Sequence, residues 1–285
     1  MPELIKYARR DIVRRGLAPQ VVEQVKDALL TKDNTRGVDS KLAYTSSVQE
    51  KTAGVLFLLG EGVNYYNHEI AAAFIRVLDR VQVSYTLLRE EPCSGKELEL
   101  LGYRQEAKEK AGSMAKRIQA TGCKSIVVSD PLSYDALKND YPAWGLSLDA
   151  EVLHVSEYIQ RLIGDGKLGL KHTGDKVTLA DSEFLGRYNS IYDAPRAVIR
   201  AAAGDGFTEM QWHHSYLQAT GEAAITFEGK LFDKGRELGK KISRKAEDIK
   251  ADVIITLSAT AKNNIAATTG LKVMDIAEFT AGLMV

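Results

Sequence analysis

A chain of 285 residues is long enough for one large hydrophobic core or two modest ones. Its Lys+Arg and Asp+Glu counts are both 38, and the formal net charge of +0 argues against a chain built mainly to bind nucleic acid or anionic membranes. No apolar run approaches the ~20 residues of a membrane span, and the charged N-terminal stretch is unlike a secretory signal. We therefore expect a cytoplasmic protein, and its two cysteines, Cys93 and Cys123, exclude a disulfide framework or a four-cysteine metal site.

Residues 1–50 are predicted to form an N-terminal helical arm and linker. Apolar residues recur at helical spacing over 3–16 and 19–31, with Gly16 and Pro19 as the stop and start signals between the two helices. A polar, turn-rich segment places the domain boundary near residues 31–50. Four arginines of the first helix are candidates for docking an acidic partner, with a solvated helix face as the alternative: Arg9, Arg10, Arg14 and Arg15.

From residue 51 onward, short apolar runs alternate with amphipathic helical patterns. In the first unit, 51–170, strands are predicted over 55–59, 83–87, 125–129 and 151–155, with helices over 69–80, 105–120 and 156–163. In the second unit, 171–285, strands are predicted over 176–180, 207–211, 253–257 and 272–274, with helices over 195–203, 231–249 and 276–283. This alternation predicts an α/β fold of two pseudo-repeated Rossmann-like parallel-sheet units preceded by the helical arm.

Matching segments indicate that the two units arose by internal duplication. Each half opens with a strand, an acidic residue and a Tyr-Asn pair: Glu61 with Tyr66-Asn67, and Glu183 with Tyr188-Asn189. Each half also closes with a similar strand-to-helix junction, over 152–158 and 273–279. In the second copy, Asp275 and Glu278 are predicted to cap the final helix as an N-cap and N3 pair.

The loops at the predicted strand ends, where ligands bind in open α/β sheets, carry a family resemblance. The first half spaces its polar positions as Glu61, 31 residues, Cys93-Ser94, 35 residues and Asp130-Pro-Leu-Ser133. The segments Glu90-Glu-Pro-Cys-Ser-Gly95 and Ser129-Asp-Pro-Leu-Ser-Tyr134 resemble the Glu-Glu-x-Cys-Cys-Gly and Ser-Cys-Pro-x-Cys-Tyr motifs of the cysteine-rich CCG proteins. That family includes the B-type and D-type components of heterodisulfide reductase and the iron–sulfur components of glycolate and lactate oxidases.

The second half carries the same resemblance. The segment Asp181-Ser-Glu-Phe-Leu-Gly-Arg-Tyr-Asn189, with Ala194-Pro-Arg196, resembles the family's Asp-Pro-Cys-x-Leu-Gly-Arg-Tyr-Asn, and Ser258-Ala-Thr-Ala261 stands at the second Cys-x-x-Cys. The central pair falls within residues 217–221, where the alignment is ambiguous. The resemblance spans nearly the whole chain, and residues 1–40 resemble the arm that joins a ferredoxin module to this region in longer members.

The resemblance implies a site that has lost its metal ligands. In the family, cysteines at these positions hold noncubane [4Fe–4S] clusters that cleave disulfides or pass electrons. Here one cysteine remains among the corresponding positions, which are Glu61, Cys93, Ser94, Asp130, Ser133, Glu183, Ser258 and Ala261. Because such clusters need several thiolates, and carboxylate or hydroxyl oxygens replace them poorly, we expect that this chain binds no cofactor and that partner subunits carry the clusters.

Three sets of residues leave alternatives open. Glu61, Asp130 and Glu183 are either a new hard-metal or acid–base site or, as we expect, solvated and capping acids. Cys93 is either a low-pKa thiol near a helix start or a small core residue left from the cluster site, and the second is expected. The His213-His214 pair either faces a groove or packs at the surface, and the second is again expected.

The sequence therefore predicts a cluster-less, non-catalytic docking subunit of a heterodisulfide-reductase-like redox complex that transfers electrons. Its predicted partners are iron–sulfur, ferredoxin-like and other redox subunits, not nucleic acid. Any membrane association is expected to be peripheral, through the complex. The alternative is a stand-alone enzyme or small-molecule-binding protein that uses the cleft between the two α/β units.

Overall fold

Two parallel sheets frame the computed structural model, which describes residues 2–39, 53–223 and 232–285. The four strands of the first sheet are β1 (Val55–Leu58), β2 (Tyr85–Thr86), β3 (Ser125–Val128) and β4 (Glu151–His154), in the order β2-β1-β3-β4. The three strands of the second sheet are β5 (Val177–Leu179), β6 (Val253–Thr256) and β7 (Lys272–Asp275), in the order β5-β6-β7. Every pairing within the sheets is parallel, which confirms the predicted α/β fold class.

Helices connect and flank these strands. The helices are α1 (Pro2–Arg14), α2 (Gln20–Lys32), α3 (Gly60–Tyr65), α4 (His68–Arg80), α5 (Lys96–Leu101), α6 (Arg104–Thr121), α7 (Pro131–Asp135), α8 (Tyr141–Ala143), α9 (Val155–Gly164), α10 (Asp193–Ala203), α11 (Phe232–Asp248), α12 (Ala259–Ala266) and α13 (Ile276–Leu283). π-Helical turns occur at Ala136–Asp140 and Phe184–Tyr188, and 3-10 turns at Gly204–Gly206 and His214–Tyr216. Within the described ranges, no helix has both the length and the apolar composition that a bilayer span requires.

Most of the predicted helices are present, and the structure contains additional short helices. The structure adds the short helices α3, α7 and α12 just after strands, where polar loops were expected, and the short helix α5 after the loop that follows β2. Residues 40–50 of the predicted arm, and residue 231 of the predicted helix 231–249, lie outside the described residues.

The predicted strand over 207–211 is wrong. Phe207 makes a single parallel bridge to Val177, and no strand follows it. Glu209 instead directs its carboxylate to Arg196, with Nε and Oε1 2.6 Å apart. Met210 packs into an apolar cluster with Ile242. These two anchors draw the backbone away from the sheet edge, so residues 207–211 do not extend the β5-β6-β7 sheet.

One main hydrophobic core runs through both halves. It contains strand residues of both sheets, including Leu56 and Ile255, and the helix residues Phe74 and Phe279. Helix α13 packs directly on α4 of the first half, which joins the two sheets into one body. Since burial of this shared apolar surface is the main stabilising force, the halves are held together by the same core that folds them.

Helix α2 is part of the first half's packing. Its residues Val22, Val25 and Leu29 are buried in a second cluster with Leu98 and Cys93. Both α1 and α2 pack against α5. Residues 20–32 are therefore bound to the first unit by apolar contacts, although the sequence places them in a preceding arm.

The predicted cap of the final helix is confirmed, and the first half repeats it. The N–H of Ala277 donates to Asp275 Oδ1 at 2.9 Å, and the N–H of Asp275 donates to Glu278 at 2.8 Å. His154 and Glu157 form the corresponding capping box at the start of α9. These reciprocal bonds satisfy backbone donors that a helix start leaves unpaired.

Candidate functional site at the strand ends

The first-half ligand positions meet beyond the carboxyl ends of β1 and β3. Glu61, Cys93, Ser94 and Ser133 line one cavity of about 10 Å³. A space of this size holds about one water molecule. Asp130 borders the same region as the N-cap of α7. The structure therefore brings together all five first-half positions that the sequence singles out.

The backbone of Gly60 lies very close to Asp130 at the border of this site. Gly60 has φ +73, and a Cβ at this residue would lie 2.1 Å from the Cβ of Asp130. Only glycine satisfies both the left-handed backbone and the close contact.

The neighbouring Glu91 accepts hydrogen bonds from the N–H groups of Leu59 and Gly60 at 2.9 and 2.7 Å. Glu91 thus fixes the end of β1, a role that its sequence context does not reveal.

The acidic replacements are bonded to their own chain. Glu61 accepts from the N–H of Thr35 at 3.0 Å and from its hydroxyl at 2.6 Å. Asp130 Oδ2 accepts from the N–H and the hydroxyl of Ser133 at 2.8 and 2.7 Å. Hydrogen bonds of this kind orient a carboxylate and occupy its lone pairs. Both acids therefore act as anchors within the fold.

Burial changes the protonation of these acids. It raises the pKa of Glu61 to about 8, and the nearby charge of Glu97 adds to the shift. Burial also raises the pKa of Glu97 to about 7, with a further contribution from Asp130. The pKa of Asp130 is itself raised, again because it is buried. This region therefore retains protons near neutral pH, which lowers its negative charge and its attraction for a cation.

The remaining thiol is buried. Cys93 is 8% exposed and packs with Leu98 and Leu101. Burial raises the pKa of the Cys93 thiol above its ordinary value, and the charge of Glu97 acts in the same direction. Because the thiolate is the reactive and metal-binding form, this environment opposes the low-pKa alternative and fits a small core residue.

The second-half positions repeat the same internal bonding. Glu183 accepts from the N–H groups of Thr220 and Gly221 at 2.9 Å each, and from the hydroxyl of Thr220. Ser258 caps α12 by accepting from the N–H of Ala261 at 3.1 Å. Within the ambiguous segment 217–221, Thr220 and Gly221 are thus the residues that Glu183 contacts.

A buried acid that the sequence reasoning missed lies beside Glu183. Glu222 is fully buried, and its Oε2 accepts from the hydroxyl of Ser182 at 2.9 Å and from the N–H of Phe184 at 3.3 Å. Burial raises its pKa well above the ordinary value, and the charge of Glu183 adds to the shift. Glu222 belongs to no recognisable sequence motif, so only the three-dimensional structure reveals that it is buried beside Glu183.

The Tyr-Asn pairs of the two halves make reciprocal contacts across the molecule. Asn67 bonds with Asn263 through both amides, at 3.0 and 2.9 Å. Asn189 reaches the first half, where it bonds with Asp135 at 2.9 Å and Asn139 at 2.9 Å. Each asparagine thereby meets the segment that follows the other half's last ligand position, a relation that supports the internal duplication.

Glu61, Asp130 and Glu183 do not converge on a common metal site. Among the described residues, they do not supply three ligand atoms within 4.8 Å of one another. Glu61 and Asp130 belong to the first site, and Glu183 is bonded at the second.

The four candidate docking arginines fall into two groups. Arg9 donates to the carbonyl of Leu100 at 2.6 Å, and Arg10 pairs with Glu99, so both hold α1 against α5. Arg14 and Arg15 both pair with Asp11, and their side chains are 79% and 65% exposed. Of these four residues, Arg14 and Arg15 are thus the largely exposed pair. Apolar side chains of the arm are also exposed: Leu4, Ile5, Tyr7, Ile12 and Leu17.

No protein-family model matches the chain. The protein named "Probable iron-sulfur-binding oxidoreductase FadF" from Bacillus subtilis is 34% identical over 160 residues, which are 55% of this chain and 22% of that protein. The EtfAB:quinone oxidoreductase of Syntrophomonas wolfei is 38% identical over 137 residues, 47% of this chain and 19% of that protein. The chain thus spans only a minor part of these two relatives.

A longer match comes from the D-type component of the dihydromethanophenazine:CoB–CoM heterodisulfide reductase of Methanosarcina acetivorans. It is 26% identical over 271 residues, which are 92% of this chain and 64% of that protein. Among solved structures, a hypothetical protein from Helicobacter pylori shares the fold with a TM-score of 0.53 at 10% identity, over 84% of this chain and 52% of that one.

These similarities agree with the motif resemblance found in both halves. The matched relatives include the D-type component of heterodisulfide reductase and an iron–sulfur oxidoreductase. Together they support a family like that of the B-type and D-type heterodisulfide reductase components.

Proposed function

We propose that this chain is a cluster-less, non-catalytic docking subunit of a heterodisulfide-reductase-like redox complex. The observation that carries the proposal is that the former ligand positions are bonded within the chain. Glu61 binds Thr35, Asp130 binds Ser133, and Glu183 binds Thr220. Side chains that serve as internal anchors stabilise the fold and leave no set of free ligands.

The residues at these positions do not fit an iron–sulfur cluster. A cluster held by protein requires several thiolates, whereas the first site offers only the buried thiol of Cys93. Its cavity of about 10 Å³ is also too small for a multinuclear centre. Each half nevertheless retains its parallel sheet. This supports a scaffold role in which partner subunits supply the electron-carrying clusters.

Anaerobic reconstitution with iron and sulfide is expected to give protein without the broad visible absorption of iron–sulfur clusters. The reason is that one buried thiol cannot supply the several thiolate ligands that hold a multinuclear centre. Iron and acid-labile sulfide are measured per chain, together with the visible spectrum. Stoichiometric sulfide accompanied by iron would contradict the cluster-less assignment.

The exposed face of α1 is the proposed docking surface. It presents Leu4, Ile5 and Ile12, with Arg14 and Arg15 nearby. An apolar strip bordered by cations suits an acidic protein with an apolar contact patch, such as a ferredoxin-like subunit. The proposed location is the cytoplasm, where such a subunit reaches this surface directly.

The variant Leu4→Asp/Ile12→Asp is expected to reduce recovery of co-purified partners at least tenfold, because it places two charges in the apolar contact. Complexes purified from native cells are compared by quantitative mass spectrometry. Tyr216→Asp, which places a charge at an exposed apolar position in the second half, is the control and should retain the partners. Thermal melting of each isolated variant tests folding.

Unchanged partners in the α1 variant would contradict the proposed docking surface. A full-length chain that purifies alone with a bound metabolite would instead support the stand-alone enzyme or binding protein. Residues 1–40 are not deleted in this test, because Leu29 is fully buried and Thr35 anchors Glu61, so the deletion would also damage the first unit.

A further inference from the structure

A cluster of metal-ligating side chains lies outside the family's ligand positions. Among the described residues, Glu209, His213 and His214 form the group whose three ligand atoms lie within 4.8 Å of one another. The Nδ1 atoms of His213 and His214 are 2.6 Å apart. His213 is exposed, whereas Glu209 and His214 are partly buried, so the cluster opens to solvent on one side.

A buried ion-pair network orients this cluster. Arg196, which is 1% exposed, binds Glu209 through Nε at 2.6 Å and Nη2 at 3.0 Å. It also binds both carboxylate oxygens of Asp181 at 2.8 Å. Asp181 in turn accepts from the backbone N–H of His214 at 2.9 Å. The network therefore fixes the carboxylate of one ligand and the backbone of another, as outer hydrogen bonds do around metal sites.

The backbone between the ligands has an unusual conformation. Trp212 has φ +71 and His214 has φ +54, both in the left-handed region that favours glycine. The Tyr192 ring lies 5.4 Å from the His214 ring, centroid to centroid. The His213 and His214 rings themselves meet edge to face, with their centroids 4.8 Å apart.

We propose that Glu209, His213 and His214 bind one zinc ion. Two imidazole nitrogens and one carboxylate oxygen are a common three-ligand set for Zn²⁺, with the fourth position open to water or substrate. Each oxygen of Glu209 keeps a lone pair free beside its bond to Arg196. In a tetrahedral site with Zn–N of about 2.0–2.1 Å, the two nitrogens stand about 3.3 Å apart. The Nδ1 atoms are now 2.6 Å apart. Because the His213 ring is exposed to solvent, it can rotate to reach the larger separation.

This proposal is independent of the docking function. It predicts that the full-length protein, freed of metal with a chelator and then dialysed, binds one Zn²⁺ per chain. Affinity is measured by competition with a chromophoric chelator, and the melting temperature is measured with and without Zn²⁺. Binding to the folded state raises the melting temperature, and the rise increases with the ratio of free Zn²⁺ concentration to the dissociation constant.

Three variants test the ligands. His213→Asn, at an exposed position, is expected to weaken Zn²⁺ binding at least tenfold and to abolish the rise in melting temperature. Glu209→Gln, which keeps an acceptor for Arg196, is expected to weaken binding by a similar factor. His172→Asn removes an exposed histidine elsewhere and should leave both measurements unchanged.

Absence of Zn²⁺ binding by the unaltered protein would overturn the proposal. Equal losses of affinity in His213→Asn and His172→Asn would also overturn it, since they would indicate nonspecific binding to surface histidines. Because the zinc assay contains no sulfide, its result is separate from the reconstitution test of the cluster sites.

Discussion

Replacing Arg196 with methionine is expected to lower the free energy of unfolding by about 3–5 kcal/mol. The guanidinium is 1% exposed and pairs with Asp181, which is 5% exposed, and with Glu209. Removal of the cation leaves the buried carboxylate of Asp181 without its counter-charge, and methionine supplies no hydrogen-bond donor. Urea unfolding followed by far-UV circular dichroism measures the change.

Arg161→Met provides the matched control for this loss. Arg161 also makes two hydrogen bonds to one carboxylate, that of Glu151, at 2.8 and 2.7 Å. Both side chains are nearly half exposed, so solvent screens the pair and the expected loss is below about 1 kcal/mol. A similar loss in both variants would show that burial does not determine the importance of Arg196.

Replacing Glu97 with glutamine is expected to stabilise the protein above neutral pH by about 1–3 kcal/mol. Glu97 is 5% exposed, and burial raises its pKa to about 7 from the ordinary 4.5. Between these two values, the folded state holds more protons than the unfolded state. The free energy of unfolding therefore decreases as pH rises through this window, and a neutral glutamine removes the dependence.

The measurement compares urea unfolding from about pH 5 to 8.5, a range that includes most of the window in which Glu97 titrates. Glu61, with a pKa of about 8, and Asp275, with a pKa of about 7, add slopes of the same sign in the unaltered protein. Between about pH 4 and 6.5 His154 adds a slope of the opposite sign, because burial lowers its pKa to about 4, and this slope is common to the unaltered protein and the variants. A flatter profile is expected in Glu97→Gln and an unchanged one in Glu109→Gln, an exposed site. Identical profiles in all three proteins would exclude a buried ionisation at Glu97.

The strands were predictable where burial is nearly complete. Val55–Leu58 and Val253–Thr256 are buried along their whole length, and each appears in the sequence as a short apolar run. The prediction failed over 207–211, where Phe207 and Met210 are apolar but contact different parts of the structure. Periodicity alone does not distinguish such a segment from an edge strand.

The site was predictable in its positions but not in its bonding. The spacing of Glu61, Cys93 and Asp130 identified residues that do share one region. The anchors Glu91 and Glu222 were missed because they bind mainly backbone N–H groups and a serine hydroxyl, which carry no distinctive sequence signal. The pairing of Arg196 with Asp181 and Glu209 depends on long-range folding and likewise has no local pattern.

The packing of α13 on α4 has a consequence for synthesis of the protein. Phe74 and Val77 of α4 belong to the same core as Phe279 of α13, which lies about two hundred residues later in the chain. During translation, the first half therefore emerges before the helix that packs on α4 has been made. Chains of this size commonly pass through such partly exposed intermediates. Helix α13 contributes Phe279 to the core, so the first half reaches its final packing only after the chain has been made as far as α13.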